Sequence, residues 1–139
     1  MNLVIDASLT MAWYFEDEST QATDELLDRV TGGGALVPGH WRLEVANALQ
    51  MAVRRQRIDA VYRDASIGEL ILLPITIDTD TNSYAWSATL RLAEKFALTV
   101  YDAAYLELAH RHRLPLATLD RELRSAASAV GIELFGIAS

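Results

Sequence analysis

The sequence predicts an α/β fold, in which one short parallel sheet of about five strands is flanked by helices on both faces. Apolar runs of three or four residues alternate along the chain with longer stretches of helical periodicity. Strands that alternate with helices form parallel sheets, because each helix returns the chain to the end where the previous strand began. Such short apolar runs fit strands that are covered on both faces. The length suits one domain, and we expect a single domain over residues 1–139.

The first half of the chain is expected to contain three strands and four helices. The first apolar run ends abruptly at Asp6, and three consecutive glycines, Gly32 to Gly34, stop a helix before the second run. The predicted strands are Leu3–Ile5, Ala35–Val37 and Pro74–Ile77, and the predicted helices are Ser8–Phe15, Thr20–Val30, Trp41–Arg54 and Asp59–Leu72. The predicted buried face of the third helix is Val45, Ala46, Leu49, Ala52 and Val53.

The second half is expected to add three helices and two strands. Its first and longest helix should place Trp86, Leu90 and Ala93 inside the protein. The predicted helices are Asp80–Phe96, Ala103–His112 and Arg121–Val130, and the predicted strands are Leu116–Thr118 and Glu133–Phe135. The predicted buried face of the middle helix is Ala104, Tyr105, Leu108 and Ala109.

Composition excludes several classes of protein. The net charge of −7 argues against a protein that coats nucleic acid through a basic surface, but not against an enzyme whose acids surround a divalent cation. The absence of cysteine excludes disulfides, thiolate metal sites and thiol nucleophiles. No apolar run approaches the roughly 20 residues that a membrane span needs, so we expect no membrane association and take the cytoplasm as the compartment.

Four acids stand where predicted elements meet. They are Asp6 after the first strand, Glu44 in the first turn of the helix after the second strand, Asp102 at the start of a helix, and Asp120 after the fourth strand. Sites in open parallel sheets form beyond the carboxyl ends of the strands, where strand order reverses, so these acids are expected to converge. One alternative stays open: the three aspartates each precede a predicted helix and could be helix caps. Glu44 could likewise be an ordinary first-turn acid favoured by the helix dipole.

A cluster of carboxylates has a chemical consequence. Three or four carboxylates a few ångströms apart repel one another and raise each other's pKa. A hard divalent cation that prefers oxygen ligands, Mg²⁺ or Mn²⁺, removes that repulsion. Such a site can activate water and stabilise the charge that develops on a phosphate oxygen.

The three histidines are not expected to bind metal. His40 lies in a turn, and its nearness to Glu44 is interpreted as only sequential. His110 and His112 lie near the end of a predicted helix, where positive charge is favourable.

Four motifs in order give the chain a resemblance to PIN-domain ribonucleases, and most closely to VapC-type toxins of toxin–antitoxin pairs. They are Asp6-Ala7-Ser8 after the first strand, Glu44 with Asn47 one turn later, Tyr101-Asp102-Ala103-Ala104-Tyr105, and Thr118-Leu119-Asp120. The resemblance covers essentially the whole chain in length and motif order. Its most specific part is the stretch from Leu98 to Asp120.

The resemblance implies a site, a cofactor and partners. It assigns Asp6, Glu44 and Asp102 to the acidic metal-binding core, and Asp120 to a more variable fourth position. It assigns Ser8 and Thr118 to positions that hold the carboxylates or bound water, with Asn47 as a supporting residue. It implies Mg²⁺- or Mn²⁺-dependent hydrolysis of RNA phosphodiesters by a metal-activated water. It also implies a homodimer neutralised by an antitoxin protein, with any DNA binding belonging to the complex with that antitoxin.

Five arginines are candidates for contact with RNA. Arg54, Arg55 and Arg57 cluster at the end of one predicted helix, and Arg121 and Arg124 lie beside Asp120. The first three are equally explained as exposed arginines that are favourable near a helix C-terminus.

Two other functions remain as alternatives. One is another metal-dependent phosphoesterase, which would act on DNA or on a small phosphate ester; a haloacid-dehalogenase-like phosphatase would need a second Asp where Ser8 stands. The other is a non-catalytic α/β binding module such as a receiver domain. That module needs paired acids before its acceptor strand and a late lysine, and the chain has neither.

Overall fold

The computed structural model describes residues 2–137 and contains one five-stranded sheet in which every neighbouring pair of strands is parallel. The strands are β1 (Val4–Ile5), β2 (Ala35–Val37), β3 (Ile75–Ile77), β4 (Leu116–Ala117) and β5 (Leu134–Phe135). Their order is β3-β2-β1-β4-β5, so the direction of winding reverses between β1 and β4. The predicted α/β class and five-stranded parallel sheet are confirmed.

The helices follow the predicted order. They are α1 (Ala7–Ala12), α2 (Gln21–Gly33), α3 (Trp41–Arg54), α4 (Ala60–Leu72), α5 (Thr81–Tyr84), α6 (Leu90–Phe96), α7 (Val100–His112) and α8 (Arg121–Ala129). A 3₁₀ turn (Glu16–Glu18) follows α1, and a π-helical segment (Ala85–Thr89) joins α5 to α6. Thr20 caps α2 by accepting a hydrogen bond from the backbone N–H of Thr23, and Gly34 ends that helix with a φ of 78°.

Two predicted helix boundaries are wrong in ways that matter. The helix predicted over Ser8–Phe15 ends at Ala12 and gives way to the 3₁₀ turn. The helix predicted to start at Ala103 begins at Val100, because Thr99 caps it by accepting a hydrogen bond from the backbone N–H of Asp102 at 3.1 Å. Asp102 therefore lies inside the first turn of α7, and the interpretation of Asp102 as a helix cap is wrong.

Two predicted core faces are also partly wrong. Trp86 is 93% exposed and Leu90 is 48% exposed, whereas Ala93 is buried as predicted. The π-helical segment explains the difference, because its wider turn rotates side chains away from where an uninterrupted α-helix would place them. On α3, which packs against α1 and α4, the predicted face is too wide: Ala46 is exposed and Val53 is half-buried, since such a helix buries only one stripe.

The core is centred on the two strands where the winding reverses. Leu3, Val4 and Ile5 on one side and Leu116 and Ala117 on the other are fully buried. Helix α7 packs against β1, β4 and α8, and it is buried continuously from residue 103 to residue 109. This packing fixes the first turn of α7 close to the carboxyl end of β1. Within residues 2–137 no helix is long and apolar enough to cross a membrane.

Candidate active site

Asp6 is the most constrained acid of the candidate site. It follows β1 directly, is 5% exposed, and caps α1 by accepting a hydrogen bond from the backbone N–H of Leu9 at 2.9 Å. The hydroxyl of Ser8 donates to the carboxylate at 2.8 Å, and the hydroxyl of Thr118 donates at 2.5 Å. The carboxylate therefore has a fixed orientation at the carboxyl end of the central strand. Capping and a role in a site are compatible, because both use the same carboxylate oxygens.

Burial raises the pKa of Asp6 from 3.8 to about 6. The hydrogen bonds from Thr118, Leu9 and Ser8 lower the pKa but do not cancel the effect of burial, and the charge of Asp102 raises it further. The ionised form of Asp6 is therefore less stable in the folded protein than it would be in water.

Asp102 connects the four predicted acids electrostatically. Burial is the largest cause of the raised pKa of Asp102, and the charges of Asp120 and Glu44 raise it further. The hydrogen bond from Thr99 and the charge of His40 lower it. Since Asp102 also raises the pKa of Asp6, all four acids lie within electrostatic range of this one side chain. The acids that the sequence placed at separate junctions therefore interact electrostatically through Asp102.

Glu44 is held by two side chains from its surroundings. The hydroxyl of Tyr105 donates to Glu44 Oε1 at 2.5 Å, and His40 Nε2 lies 3.3 Å from the same oxygen. Burial raises the pKa of Glu44, but the hydrogen bonds from His40 and Tyr105 outweigh burial and lower the pKa overall. Glu44 therefore stays ionised more readily than Asp6.

The interpretation of His40 as only a sequence neighbour of Glu44 is wrong. His40 Nε2 also lies 3.0 Å from the backbone carbonyl oxygen of Tyr101. Because a carbonyl oxygen can only accept, Nε2 carries the hydrogen and donates. His40 thus ties the start of α3 to the first turn of α7.

Tyr105 contacts one of the predicted acids, whereas sequence analysis placed it in the core and in a motif without giving its side chain a role. It is 1% exposed, and burial raises the pKa of its hydroxyl so that it stays a hydrogen-bond donor at neutral pH. Its spacing offered a signal, because residues three apart on a helix share a face and Tyr105 is three residues after Asp102. The partner of its hydroxyl, Glu44, is 61 residues away and could not be read from spacing.

Asp120 is a helix cap that stands beside the site. Its Oδ1 accepts hydrogen bonds from the backbone N–H groups of Glu122 at 2.9 Å and Leu123 at 3.1 Å. Its own N–H donates to Thr118 Oγ1 at 3.0 Å, which links Asp120 to the residue that binds Asp6. The predicted capping is therefore present, and its charge still reaches Asp102.

The predicted supporting residues differ in their surroundings. Ser8 donates to both oxygens of Asp6 and accepts from the backbone N–H of Leu119 at 3.1 Å. Thr118 is fully buried and donates to Asp6. Asn47, in contrast, lies exposed on α3.

The predicted RNA-contact arginines are placed unequally. Arg124 Nη1 donates to the backbone carbonyl oxygens of Thr118 and Phe135, both at 2.8 Å, so it ties β4 to β5. Arg57 forms ion pairs with Asp17 and Glu18. The other three are exposed, with Arg121 next to Asp120 and with Arg54 and Arg55 at the far end of α3. At 1.5 Å per residue, Arg54 lies roughly 15 Å along the helix from Glu44.

The four acids offer only oxygen donors, which suits a hard divalent cation. Within residues 2–137, however, no three Asp, Glu or His side chains stand where they could hold one ion. Much of the donor capacity is already engaged: Asp6 binds two hydroxyls, Glu44 Oε1 binds Tyr105, and Asp120 Oδ1 caps α8. The donor set fits an ion held by one or two carboxylates and completed by water, which is how Mg²⁺ is usually bound.

Comparison with known proteins agrees with this fold. A model of the PIN domain family matches residues 3–129. The chain is 30% identical over 123 residues to ribonuclease VapC3 of Pyrobaculum aerophilum, an alignment that covers 88% of this chain and 92% of that protein. The crystal structure of PAE2754 from Pyrobaculum aerophilum superposes with a TM-score of 0.71 at 23% identity, covers 96% of this chain and 90% of the other, and shows the shared fold. This chain belongs to the PIN domain family.

Proposed function

We propose that this chain is a metal-dependent endoribonuclease and the toxin of a toxin–antitoxin pair. The observation that carries the proposal is the buried carboxylate of Asp6, whose pKa is raised to about 6 at the end of the central strand, with the charge of Asp102 raising it further. A cation would stabilise the ionised forms of neighbouring acids in this position. The relationship to a protein named ribonuclease VapC3 supports RNA as the substrate. We propose that residues 1–139 form a single nuclease domain.

The proposed cofactor is Mg²⁺ or Mn²⁺. Asp6 and Asp102 would hold it directly, because theirs are the two acids whose pKa is raised. Glu44, whose Oε1 accepts from Tyr105, and Asp120, whose Oδ1 caps α8, would complete the site through water. When bound, such an ion supplies Lewis acidity that activates water and offsets the charge of the phosphate.

The remaining steps fall to side chains of this chain. Ser8 and Thr118 orient Asp6, and Tyr105 and His40 orient Glu44 through its Oε1. Oε2 of Glu44 is then the proposed acceptor for the proton of the attacking water, because Glu44 is ionised at neutral pH and its Oε1 is held by Tyr105.

The proposed partners follow from the toxin assignment. We propose an antitoxin protein and a second copy of the chain, with DNA bound only through the antitoxin complex, and activity in the cytoplasm where the RNA is. An apolar groove supports a protein partner, since Ile67, Leu70 and Ile71 of α4 face Trp41 and Val45 of α3 across it.

The proposal is tested by cleavage assays on matched RNA and DNA oligonucleotides with Mg²⁺, Mn²⁺ or EDTA. We expect RNA cleavage that EDTA stops and that either Asp6→Asn or Asp102→Asn reduces by about a thousandfold or more, since several kcal/mol of charge stabilisation is lost. Asp28→Asn, at an exposed position on α2, is the control and should cleave normally. Full activity in both site variants would contradict the assignment, and cleavage of DNA in preference to RNA would favour the phosphoesterase alternative.

A further inference from the structure

The four acids of the candidate site (Asp6, Glu44, Asp102, Asp120) do not explain how the protein binds RNA, which is a polyanion. The chain carries a net charge of −7, and RNA affinity normally depends on arginine and lysine contacts to phosphate. Arg124, the partly buried arginine of α8, is committed to the carbonyl oxygens of Thr118 and Phe135. Arg121 is therefore the one arginine of the first turn of α8 left to meet a phosphate. Since the net charge is negative, we expect contacts other than those to phosphate to contribute to binding at this site.

A row of three rings leads from solvent to the acids. The ring of Tyr101 lies 5.8 Å from that of His40, and the ring of His40 lies 5.2 Å from that of Tyr105. Tyr101 is 65% exposed and Tyr105 is 1% exposed, so the row begins at the surface. It ends at Glu44, to which the Tyr105 hydroxyl donates.

Tyr101 is held in place although it is exposed. It occupies the first turn of α7, immediately before Asp102, and its backbone carbonyl oxygen accepts a hydrogen bond from His40 Nε2 at 3.0 Å. Its backbone is therefore held next to Asp102, and its exposed ring contacts the ring of His40 instead of being buried in the core. An exposed, pre-positioned aromatic ring next to a nuclease site has the properties of a stacking platform.

We infer that the ring of Tyr101, which contacts the ring of His40, stacks against one unpaired base of the RNA next to the bond that is cut. The inference rests on the proposed ribonuclease function and names the residue that selects the substrate conformation. Bases inside a duplex are stacked on their neighbours and do not offer a face to a side chain, whereas an unpaired base does. Stacking is also tolerant of base identity, so Tyr101 would select for single-stranded segments more than for a sequence.

The first test separates binding from chemistry. Tyr101→Ala should raise KM for single-stranded RNA by about tenfold and leave kcat nearly unchanged, because stacking contributes to substrate and transition state alike. Tyr101→Phe keeps the ring and should behave like the unchanged protein. Trp86→Ala removes an aromatic ring that is 93% exposed elsewhere and is the matched control, with no expected change in KM. An unchanged KM in Tyr101→Ala would overturn the inference.

The second test identifies the base. A series of RNA substrates would each carry one abasic nucleotide at a different position. With the unchanged protein, kcat/KM should fall by about tenfold when the abasic nucleotide is at one particular position. With Tyr101→Ala, the same substrate should show little further loss. Equal losses with both proteins would contradict the stacking. A change in the solution mass of Tyr101→Ala would also contradict it, because the ring would then contact protein.

Failure of the inference must be distinguishable from failure of the proposed function. For this we would measure the fluorescence of 2-aminopurine in a single-stranded RNA bound to Asp6→Asn protein, in which cleavage is blocked. Two double variants, Asp6→Asn with Tyr101→Ala and Asp6→Asn with Tyr101→Phe, are compared with Asp6→Asn alone. Quenching that disappears in the first double variant and persists in the second supports the stacking, whether or not the native protein cuts RNA. Equal quenching in all three would overturn the stacking even if the native protein proves to be a ribonuclease.

Discussion

Two groups of acids, each containing a buried aspartate that follows a strand, differ in their electrostatics. In the acid cluster (Asp6, Glu44, Asp102, Asp120), Asp6 follows β1, and burial raises its pKa to about 6. In the ionic cluster (Asp78, Glu107, Arg111), Asp78 follows β3 and Arg111 Nη2 donates to it at 2.7 Å. Burial raises the pKa of Asp78 too, but the hydrogen bonds from Arg111 and Thr81 outweigh burial and lower it overall.

The difference lies in whether the chain supplies its own cation. Arg111 also donates to both oxygens of Glu107, at 2.8 and 3.0 Å, and its guanidinium lies 4.4 Å from the ring centroid of Tyr84. Its charge thus lies between the two acids with which it forms ion pairs. A buried acid with its own arginine supports the fold, whereas a buried acid without one leaves room for a cation from solution.

The largest effect on stability is expected where the internal cation is removed. Arg111→Met should lower the free energy of unfolding by about 3 to 5 kcal/mol, because two carboxylates with side chains 6% exposed would lose their cation. Urea denaturation at pH 7.5 measures this change.

The control for that prediction neutralises all three members together. Combining Arg111→Met with Asp78→Asn and Glu107→Gln should recover most of the lost stability, since no buried charge then remains unpaired. If Arg111→Met alone had the stability of the unchanged protein, the ionic cluster would not have the structural role assigned to it.

The acid cluster should respond in the opposite direction. Asp6→Asn should raise the free energy of unfolding of the metal-free protein by about 1 to 3 kcal/mol at pH 7.5, because the folded protein no longer holds an ionised carboxylate whose pKa is raised to about 6. Urea denaturation in EDTA measures it. A loss of stability in this variant would mean that the hydrogen bonds to Asp6 outweigh the effect of burial.

The pH dependence isolates the same carboxylate. The pKa of Asp6 is higher in the folded chain than in the unfolded chain, so the folded chain binds the proton more tightly and ionisation favours unfolding. The stability difference between Asp6→Asn and the unchanged protein should therefore grow as pH rises from about 4 to about 6 and stay constant above that. A difference that does not vary with pH would contradict the raised pKa.

Sequence patterns predicted the frame of this molecule well. Helix α3 runs over Trp41–Arg54 as predicted, because its apolar stripe and the preceding turn mark both ends. The position of Asp6 at a strand end followed from an apolar run that stops at an acid, and the parallel sheet followed from the alternation of strands and helices. These features depend on short stretches of sequence, which is why they could be predicted.

Contacts between distant elements could not be predicted in the same way. Asp78 follows a predicted strand, and the arginine that forms an ion pair with it is 33 residues further along. The bond from Tyr105 to Glu44 spans 61 residues, and Trp86 became exposed through a π-helical segment that no pattern in the sequence marked. Which buried acids are neutralised, and hence which are free for function, became clear only from the packing.

The central claim is that the acid cluster takes its cation from solution, and a Mn²⁺ titration by calorimetry at pH 7.5 tests it most directly. The unchanged protein should bind Mn²⁺ below millimolar concentration, Asp6→Asn and Asp102→Asn should each weaken binding by about tenfold or more, and Asp28→Asn should bind normally. No binding by the unchanged protein at millimolar Mn²⁺, or equal binding by all four proteins, would contradict the claim.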